Sequence, residues 1–330
     1  MDKHAIGRIL NKKNITLILL LAVIIAFFGI AAEATGLGVF FSLNNLRNIL
    51  NSMVIVALLT IGAGCLIISG NIDLSAGYVG TFCGIFIAHA FTNIGLPWPL
   101  ALVSTLVVGM LFGLLNAFLV NELRFQSFIA TLATGYIAEG LAYSLSRSGT
   151  IALSSPFLNE LGSGRIGSFL PKAMVLAFAL FILYGVLLST TKFGRSVYLV
   201  GGNPTAARLT GLNPKKISYI LFINCGALSS LAGIMLTTRL KSSTEHGIKQ
   251  SNFAGVTAAI LGGISFTGGS GSLGGAFLGL LIINSFNNGM TVMKVPSYYQ
   301  NIASGLLLIF ALFFDYVASG GMKRKKPVSA

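Results

Sequence analysis

The chain has 330 residues, of which 54% are hydrophobic and only 9% are charged, and its formal net charge is +14. A soluble domain carries about 25% charged residues, so this composition excludes an ordinary soluble globular protein and indicates an integral membrane protein. In a membrane protein the placement of Lys and Arg predicts orientation, and the positive charge is therefore not read as a nucleic-acid-binding signal.

Ten apolar runs predict an all-α integral membrane protein with about ten transmembrane helices, because crossing the hydrocarbon core takes roughly 20 apolar residues. The first run ends in Ala-Glu-Ala, which imitates a signal-peptidase site, but the many later spans favour a retained helix. The eighth run is so short that a re-entrant segment or a half-helix fits it as well as a full span. In chain order the runs are 15–32, 53–68, 75–91, 98–120, 127–145, 173–189, 217–236, 253–264, 271–290 and 302–314.

The basic residues predict that both ends of the chain are cytoplasmic. An even number of spans puts the two ends on one side, and the tails 1–14 and 319–330 are both basic. The charged segment 190–216 falls on the same side, so most of the 22 Lys and Arg residues are predicted to lie inside. The whole chain, 1–330, is expected to form a single transmembrane domain.

Small residues are abundant and follow a pattern. The chain has 40 glycines, and their spacing suits helices that pack backbone to backbone in lipid. The sequence GNIDLSAG at 70–77 also aligns with GGISFTGG at 262–269, and each leads into a glycine-spaced apolar helix. This echo indicates two related halves, parallel or inverted, unless two short glycine-rich stretches match by chance.

The charged segment contains the signals of a short isolated helix, 204–210. Asn203 can cap it with its side-chain oxygen, Pro204 suits the first helical position, and Gly211 can take the left-handed conformation that ends a helix. Asn213 and Pro214 then repeat the same start signal for the next membrane helix.

A helix of about two turns is unstable alone, so we expect it to dock against another surface. A membrane surface would need a broad apolar face, and this helix has few large apolar residues. Ala206 and Ala207 instead permit close packing in a groove of a partner protein. A plain connecting loop is the alternative.

The stretch GRSVYLVGGNPTAARLTGLNPKKI resembles the cytoplasmic coupling segment of the permease subunits of binding-protein-dependent sugar ABC importers, the ribose, xylose, arabinose and galactose group. Asn71 stands where that family usually has glycine, and Ser127 where it often has proline, which puts the local contacts there in doubt. Other stretches similar to the family's motifs follow in the right order: SGNIDLSAG at 69–77, FQSFIATLAT at 125–134, LGGISFTGGSGSLGGAFLG at 261–279 and SYYQNIASG at 297–305.

The resemblance implies a transport subunit that is not itself an enzyme and binds no cofactor. Two permease copies, identical or related, would form the pathway in the lipid of the bacterial cytoplasmic (inner) membrane. Separate ABC ATPase subunits would drive it, and an extracytoplasmic sugar-binding protein would deliver a monosaccharide of the pentose or hexose class. The chain has no Gly-Lys dipeptide and hence no P-loop, which agrees with ATP hydrolysis by a partner. Which sugar is carried is not indicated.

Three sets of candidate residues follow. The coupling role implied by the resemblance falls on Gly202, Asn203, Pro204, Ala206, Ala207, Arg208 and Gly211. Candidates for the translocation pathway are Asn71, Asp73, Asn116, Phe128, Thr131, Asn284 and Asn288. Docking of the binding protein is assigned to Arg239, Lys241, Tyr298 and Tyr299, with ordinary solvated loop residues as the alternative. Asp73 is more simply a helix cap, and each membrane amide more simply a hydrogen bond between packed helices.

Glu139, His89 and His246 are ionisable residues outside these three sets. Glu139 lies within a predicted span, where an acid costs about 2.5 to 3.5 kcal/mol, so it should face a cavity, a partner or the subunit interface. His89 and His246 lack partners at helical spacing, and no metal site is predicted.

Two rival functions were weighed. Gly-Gly-Ser-Gly at 268–271 suits an intramembrane serine protease, but no histidine that could act as the base follows His246. An ion-coupled secondary transporter of small polar solutes is the remaining alternative, and it leaves the short cytoplasmic helix unexplained.

Overall fold

The computed structural model describes residues 12–36, 39–167, 169–249 and 251–318. In that part of the chain the helices are α1 (Lys12–Ala34), α2 (Leu43–Ile68), α3 (Ala76–Thr92), α4 (Trp98–Asn121), α5 (Ser127–Ser146), α6 (Pro156–Ser163), α7 (Lys172–Thr190), α8 (Lys192–Gly202), α9 (Pro204–Leu209), α10 (Pro214–Leu240), α11 (Ser251–Leu261), α12 (Leu273–Val292) and α13 (Ser297–Ala318). Two-residue strands add β1 (Ile151–Ala152), β2 (Arg165–Ile166), β3 (Leu170–Pro171) and β4 (Ser242–Ser243). The predominantly helical fold is confirmed.

Each of the ten predicted apolar runs coincides with a helix. By length and composition, five of the described helices, α1, α2, α4, α7 and α10, are able to cross a membrane. The apolar helices α3 and α11 and the Ser297–Phe313 part of α13 are shorter. The sequence analysis missed α6 and α8, although each begins with a capping hydroxyl. Ser155 accepts a hydrogen bond from Leu158 N, and Thr191 accepts one from Gly194 N.

The centre of the bundle is formed by α2 and α10, which are the most buried of the five long spans. Glycines let α10 approach α3 and α4 closely. A Cβ added at Gly233 would overlap the carbonyl oxygen of Gly80, and one added at Gly226 would overlap that of Gly109. These helices therefore pack backbone to backbone, the arrangement expected where lipid provides no hydrophobic drive for association.

The short helix α11 completes a passage through the bundle that begins with a two-residue strand and turns. Residues 241–249 run beside α3 in the opposite direction, and Ile248 N donates to Thr81 Oγ1 at 2.9 Å. At the start of α11, Asn252 Nδ2 donates to Leu74 O at 2.9 Å. Because α11 has 11 residues and is therefore about 16 Å long, it is a half-helix packed inside the bundle, one of the options left open for the run 253–264.

Helices α2 and α11 run in the same direction. A Cβ added at Gly255 would lie 3.0 Å from Leu59 Cβ, and further along both segments Gly269 N donates to Ile68 O at 2.8 Å. The motifs 70–77 and 262–269, which follow these two helices, therefore meet at one end of the bundle. For this pair of segments the arrangement is parallel.

At the other end of the bundle, a strand pair ties two connections together. Strand β1 pairs antiparallel with β4, with Ile151 opposite Ser243 and Ala152 opposite Ser242. Leu153 N also donates to Lys241 O at 2.9 Å. The connection after α5 is thus joined to the segment 241–249.

We predict that Gly233→Ala destabilises the protein, because the added methyl group would force α3 and α10 apart, and overpacking of this kind costs about 1–3 kcal/mol. Gly185→Ala in α7 is the matched control, since no atom lies within 4 Å of the Cβ it would add. Thermal unfolding of the purified variants in detergent measures the difference. Equal melting temperatures for the two variants would contradict the packing.

Candidate functional site

The predicted short helix is present as α9, and its cap is made as expected. Asn203 Oδ1 accepts hydrogen bonds from Thr205 N and Ala206 N, both at 3.0 Å. The helix ends at Leu209, one residue earlier than predicted, and Gly211 follows with φ of +83°. Helix α10 starts in the same way at its own Asn-Pro pair.

The two faces of α9 differ sharply in exposure. Ala207 is 3% exposed and belongs to the main apolar core, so this face packs against the chain itself. Ala206 points outward, and Leu209 is 86% exposed. Exposed apolar bulk beside a small residue is the surface expected of a contact site. Leu209, the one large apolar residue of this helix, served in the sequence analysis only as an argument against a membrane-surface helix and was not among the predicted coupling residues.

The end of α8 packs between the two echoed motifs in a contact that we call the glycine junction: Gly70, Gly201, Gly268 and Gly269. A Cβ added at Gly201 would overlap Ile68 O and lie 2.8 Å from Gly269 N. Gly268, with φ of +84°, lies so close that its added Cβ would be 3.0 Å from Gly201 O and from Gly70 N. Three backbone segments thus meet where a larger residue does not fit.

Tyr198 adds a side-chain contact beside the glycine junction. Its hydroxyl donates to Gly271 O at 3.0 Å. Burial raises the pKa of the Tyr198 phenol, so the group stays protonated at neutral pH and can act as the donor. A side-chain hydrogen bond therefore joins α8 to the segment between α11 and α12, in addition to the backbone contact at the glycine junction.

The linker 69–75, which joins α2 to α3, is held by side chains of α5. Ile72 N donates to Ser127 Oγ at 3.2 Å, and Leu74 N donates to Thr131 Oγ1 at 3.0 Å. Two backbone amides that no regular structure satisfies are paired in this way, which is required of buried backbone groups. Displacement of the linker therefore acts on α5.

A buried chain of polar side chains continues from the linker into the bundle. Asp73 Oδ1 accepts from Ser75 N at 2.7 Å and from Ser75 Oγ at 2.6 Å. Asn116 Nδ2 donates to Ser75 Oγ at 2.8 Å, and Thr134 Oγ1 donates to Asn116 Oδ1. Asp73 thus satisfies a backbone amide at the start of α3, as a helix cap does, whereas the Ser75 side chain does not cap α3 and links it to α4 through Asn116.

A cavity of about 1310 Å³ opens among α2, α11, α12 and α13. It lies at the end of the bundle away from the glycine junction. Asn45 and Asn288 exchange two side-chain hydrogen bonds at 2.9 Å across its wall. Towards the middle of the bundle it reaches Tyr78, Glu139 and Lys249, which we call the cavity floor. Eight amide side chains contribute to its polar lining: Asn44, Asn45, Asn48, Asn284, Asn287, Asn288, Gln300 and Asn301.

Comparison with known proteins shows the family to which this chain belongs. Residues 45–312 match the family described as branched-chain amino acid transport system / permease component. The chain belongs to this permease family. Membership of this family, together with the five long apolar helices, shows that the permease is a multi-pass membrane protein.

Curated relatives match the permease over most of its length. It is 30% identical to a xylose transport system permease protein of Haemophilus influenzae, over 92% of this chain and 96% of that protein. It is 33% identical to a ribose import permease protein of the same organism, over 84% of this chain and 86% of that protein. The ribose import permease protein of Escherichia coli is 31% identical, over 84% and 87%.

A solved structure shares the fold. PsaBC from Streptococcus pneumoniae in complex with Fab is similar with a TM-score of 0.50 and 18% identity, over 90% of this chain and 97% of that chain. At this identity the similarity extends to the fold alone.

The structure separates the residues predicted for the pathway. Asn284 and Asn288 line the cavity. Asp73, Asn116 and Thr131 are buried at the linker 69–75. The other two lie elsewhere: Asn71 is partly buried in the linker, and Phe128 is half exposed on α5.

The residues predicted for docking also divide. Tyr298 and Tyr299 are exposed, with their rings 4.6 Å apart, and Lys241 is exposed where α10 ends. Arg239 instead lines the cavity, and its Nη1 donates to Asn51 O at 2.7 Å. The docking role of these residues stays a prediction.

Proposed function

We propose that this permease is the transmembrane subunit of an ABC importer that carries a monosaccharide of the pentose or hexose class. The observation that carries the proposal is the match, over 84% to 92% of the chain, to permeases named for ribose import and xylose transport. The family description names branched-chain amino acids instead. We give the sugar permeases more weight, because they are individual proteins aligned with nearly the whole chain.

Energy is proposed to come from a separate ATPase that binds α9. The chain contains no Gly-Lys dipeptide and therefore no P-loop. The outward face of α9, with Ala206 and Leu209, offers a small apolar contact, and Arg208 adds a positive charge beside it. Gly202, Asn203, Pro204 and Gly211 set the position of this helix. Ala207 contributes from the inner face by holding α9 against the permease.

Movement of α9 is proposed to reach the cavity through α8 and the glycine junction. Gly201 contacts both the end of α2 and Gly269, so displacement of α8 pushes directly on the linker 69–75. Ser127 and Thr131 pass this displacement to α5, and Asn252 passes it to α11. An ATPase that binds α9 with different affinity in the two conformations of the permease shifts the equilibrium between them.

The remaining partners are proposed from the family. A second permease copy would complete the pathway, and an extracytoplasmic binding protein would deliver the sugar to the cavity end of the bundle. The protein would lie in a bacterial inner membrane with the α9 end inside. The basic tails at 1–11 and 319–330, expected on the same side, fall outside the described residues.

Transport in proteoliposomes tests the proposal. The permease, its ATPase and its binding protein would be reconstituted with ATP trapped inside and labelled D-ribose or D-xylose outside. We expect sugar accumulation that requires ATP, the ATPase and the binding protein. Uptake driven by a proton or sodium gradient without the ATPase, or ATP-driven uptake of L-leucine with no sugar uptake, would overturn it.

Leu209→Asp is expected to reduce ATPase bound to the purified permease by about tenfold or more, because a buried carboxylate replaces apolar contact at the centre of a small interface. Leu209→Met keeps the apolar contact and is expected to bind normally. Quantitative co-purification from membranes measures both. If the two variants retain the same amount of ATPase, α9 does not bind it through this face.

Gly201→Ala and Gly274→Ala form a matched pair for the glycine junction. The methyl group at position 201 would overlap Ile68 O, whereas no atom of another segment lies within 4 Å of the Cβ added at position 274, near the start of α12. We expect Gly201→Ala to lower sugar uptake per ATP hydrolysed by about tenfold or more, since misplaced elements are costly to function. Gly274→Ala should behave like the wild type. Equal transport-to-hydrolysis ratios would exclude this route; Tyr198→Phe supplies a milder third variant should Gly201→Ala fail to fold.

A further inference from the structure

Three tyrosines surround an ion pair at the cavity floor. Lys249 Nζ lies 2.8 Å from Glu139 Oε1 and 5.9 Å from the centre of the Tyr143 ring. The rings of Tyr78 and Tyr136 are 5.9 Å apart and tilted by 42°. The cluster joins α3, α5 and the segment 241–249.

Three of these groups line the cavity, and the other two tyrosines share a helix face with one of them. Tyr136, Glu139 and Tyr143 are spaced by three and four residues, which places them on one face of α5. Glu139, Lys249 and Tyr78 line the cavity directly. Tyr136 and Tyr143 remain 60% and 36% exposed. Ionisable side chains inside membrane segments are usually functional. Of the surroundings considered for Glu139 in the sequence analysis, the structure shows a cavity.

The chemistry of the cluster suits a neutral ligand with many hydroxyl groups. The carboxylate and the ammonium group satisfy each other, so the pair is neutral overall and still offers acceptor and donor positions to hydroxyls. Aromatic rings provide flat apolar surfaces of the kind that line ligand sites beside a few polar groups. A zwitterionic amino acid would have to compete with the existing ion pair for both of its charges.

We propose that the cavity floor, together with Tyr136 and Tyr143, is a transient binding site for a monosaccharide on its way through the permease. The proposal rests on the function proposed above and adds a site within this chain that contributes to selectivity. The cavity is larger than the 300–1,000 Å³ typical of ligand pockets, so the site holds sugar at one wall of a wide vestibule. Weak binding is what transport needs, because the solute must also leave.

The proposal is tested with the complete importer in proteoliposomes, with ATP inside and saturating binding protein outside. Uptake of D-ribose, D-xylose and D-glucose is measured beside ATP hydrolysis for Glu139→Gln, Tyr78→Leu and Tyr78→Phe. Glu160→Gln is the matched control, because Glu160 of α6 forms an exposed ion pair with Lys172 of α7, at 2.7 Å, and neither residue lines the cavity.

We expect Glu139→Gln and Tyr78→Leu to lower uptake per ATP hydrolysed by about tenfold and to change the order of preference among the three sugars. Tyr78→Phe, which keeps the ring, should keep most of the uptake, and Glu160→Gln should change neither quantity. Loss of uptake and ATP hydrolysis in equal proportion, with the sugar order unchanged, would assign the cluster a structural role and overturn the proposal. So would wild-type behaviour in both variants, whereas absence of ATP-driven sugar uptake by the wild-type importer would instead overturn the proposed function.

Discussion

The contact on which the rest of this structure depends is the one between backbone atoms at Gly201. No side chain separates α8 from the end of α2 or from Gly269, so the distance between them is set by van der Waals contact of main-chain atoms. Such a contact has little compliance, because protein interiors are close-packed and transmit strain. A side chain in the same place could change rotamer and absorb a small displacement. Glycine leaves no such freedom, and motion of α8 must appear in the two connections it touches.

Two passages of the chain through the bundle are only partly helical, so the middle of the bundle can move when these connections move. Helix α3 starts only after the linker 69–75, and α11 starts only after the non-helical segment 241–249. Both starts meet where Asn252 Nδ2 donates to Leu74 O. Continuous helices would hold this region through unbroken backbone hydrogen bonds, but here the chain is joined by side chains of Ser127 and Thr131. Irregular backbone at membrane depth is tolerated when it is buried in protein, and it gives a transporter places to bend.

Local features of the fold were predictable from sequence, and features built from distant segments were not. Asn203 and Asn213, each followed by proline, predicted two helix starts because capping involves only the next few residues. The same signal at Ser155 was present but overlooked. By contrast, nothing local distinguishes Gly201 from Gly202, since the difference arises from Ile68 and from residues near position 269. The apolar runs predicted where helices occur, but periodicity says nothing about which polar side chains share a cavity, so the partners of Glu139 and Asn288 emerged only in three dimensions.

The strand pair β1 and β4 gives the cavity floor an attachment to the opposite face of the membrane. Strand β4 stands at the start of the segment that carries Lys249, and β1 fixes it to the connection after α5, the helix that carries Glu139. The two members of the ion pair are therefore joined twice. The strand pair connects their segments at one end, and the ion pair itself connects them at the other. If α8 moves as proposed, its displacement would reach this ion pair from one end of the bundle through the linker 69–75. A displacement of the connection after α5 would reach the same pair from the other end, through the strands.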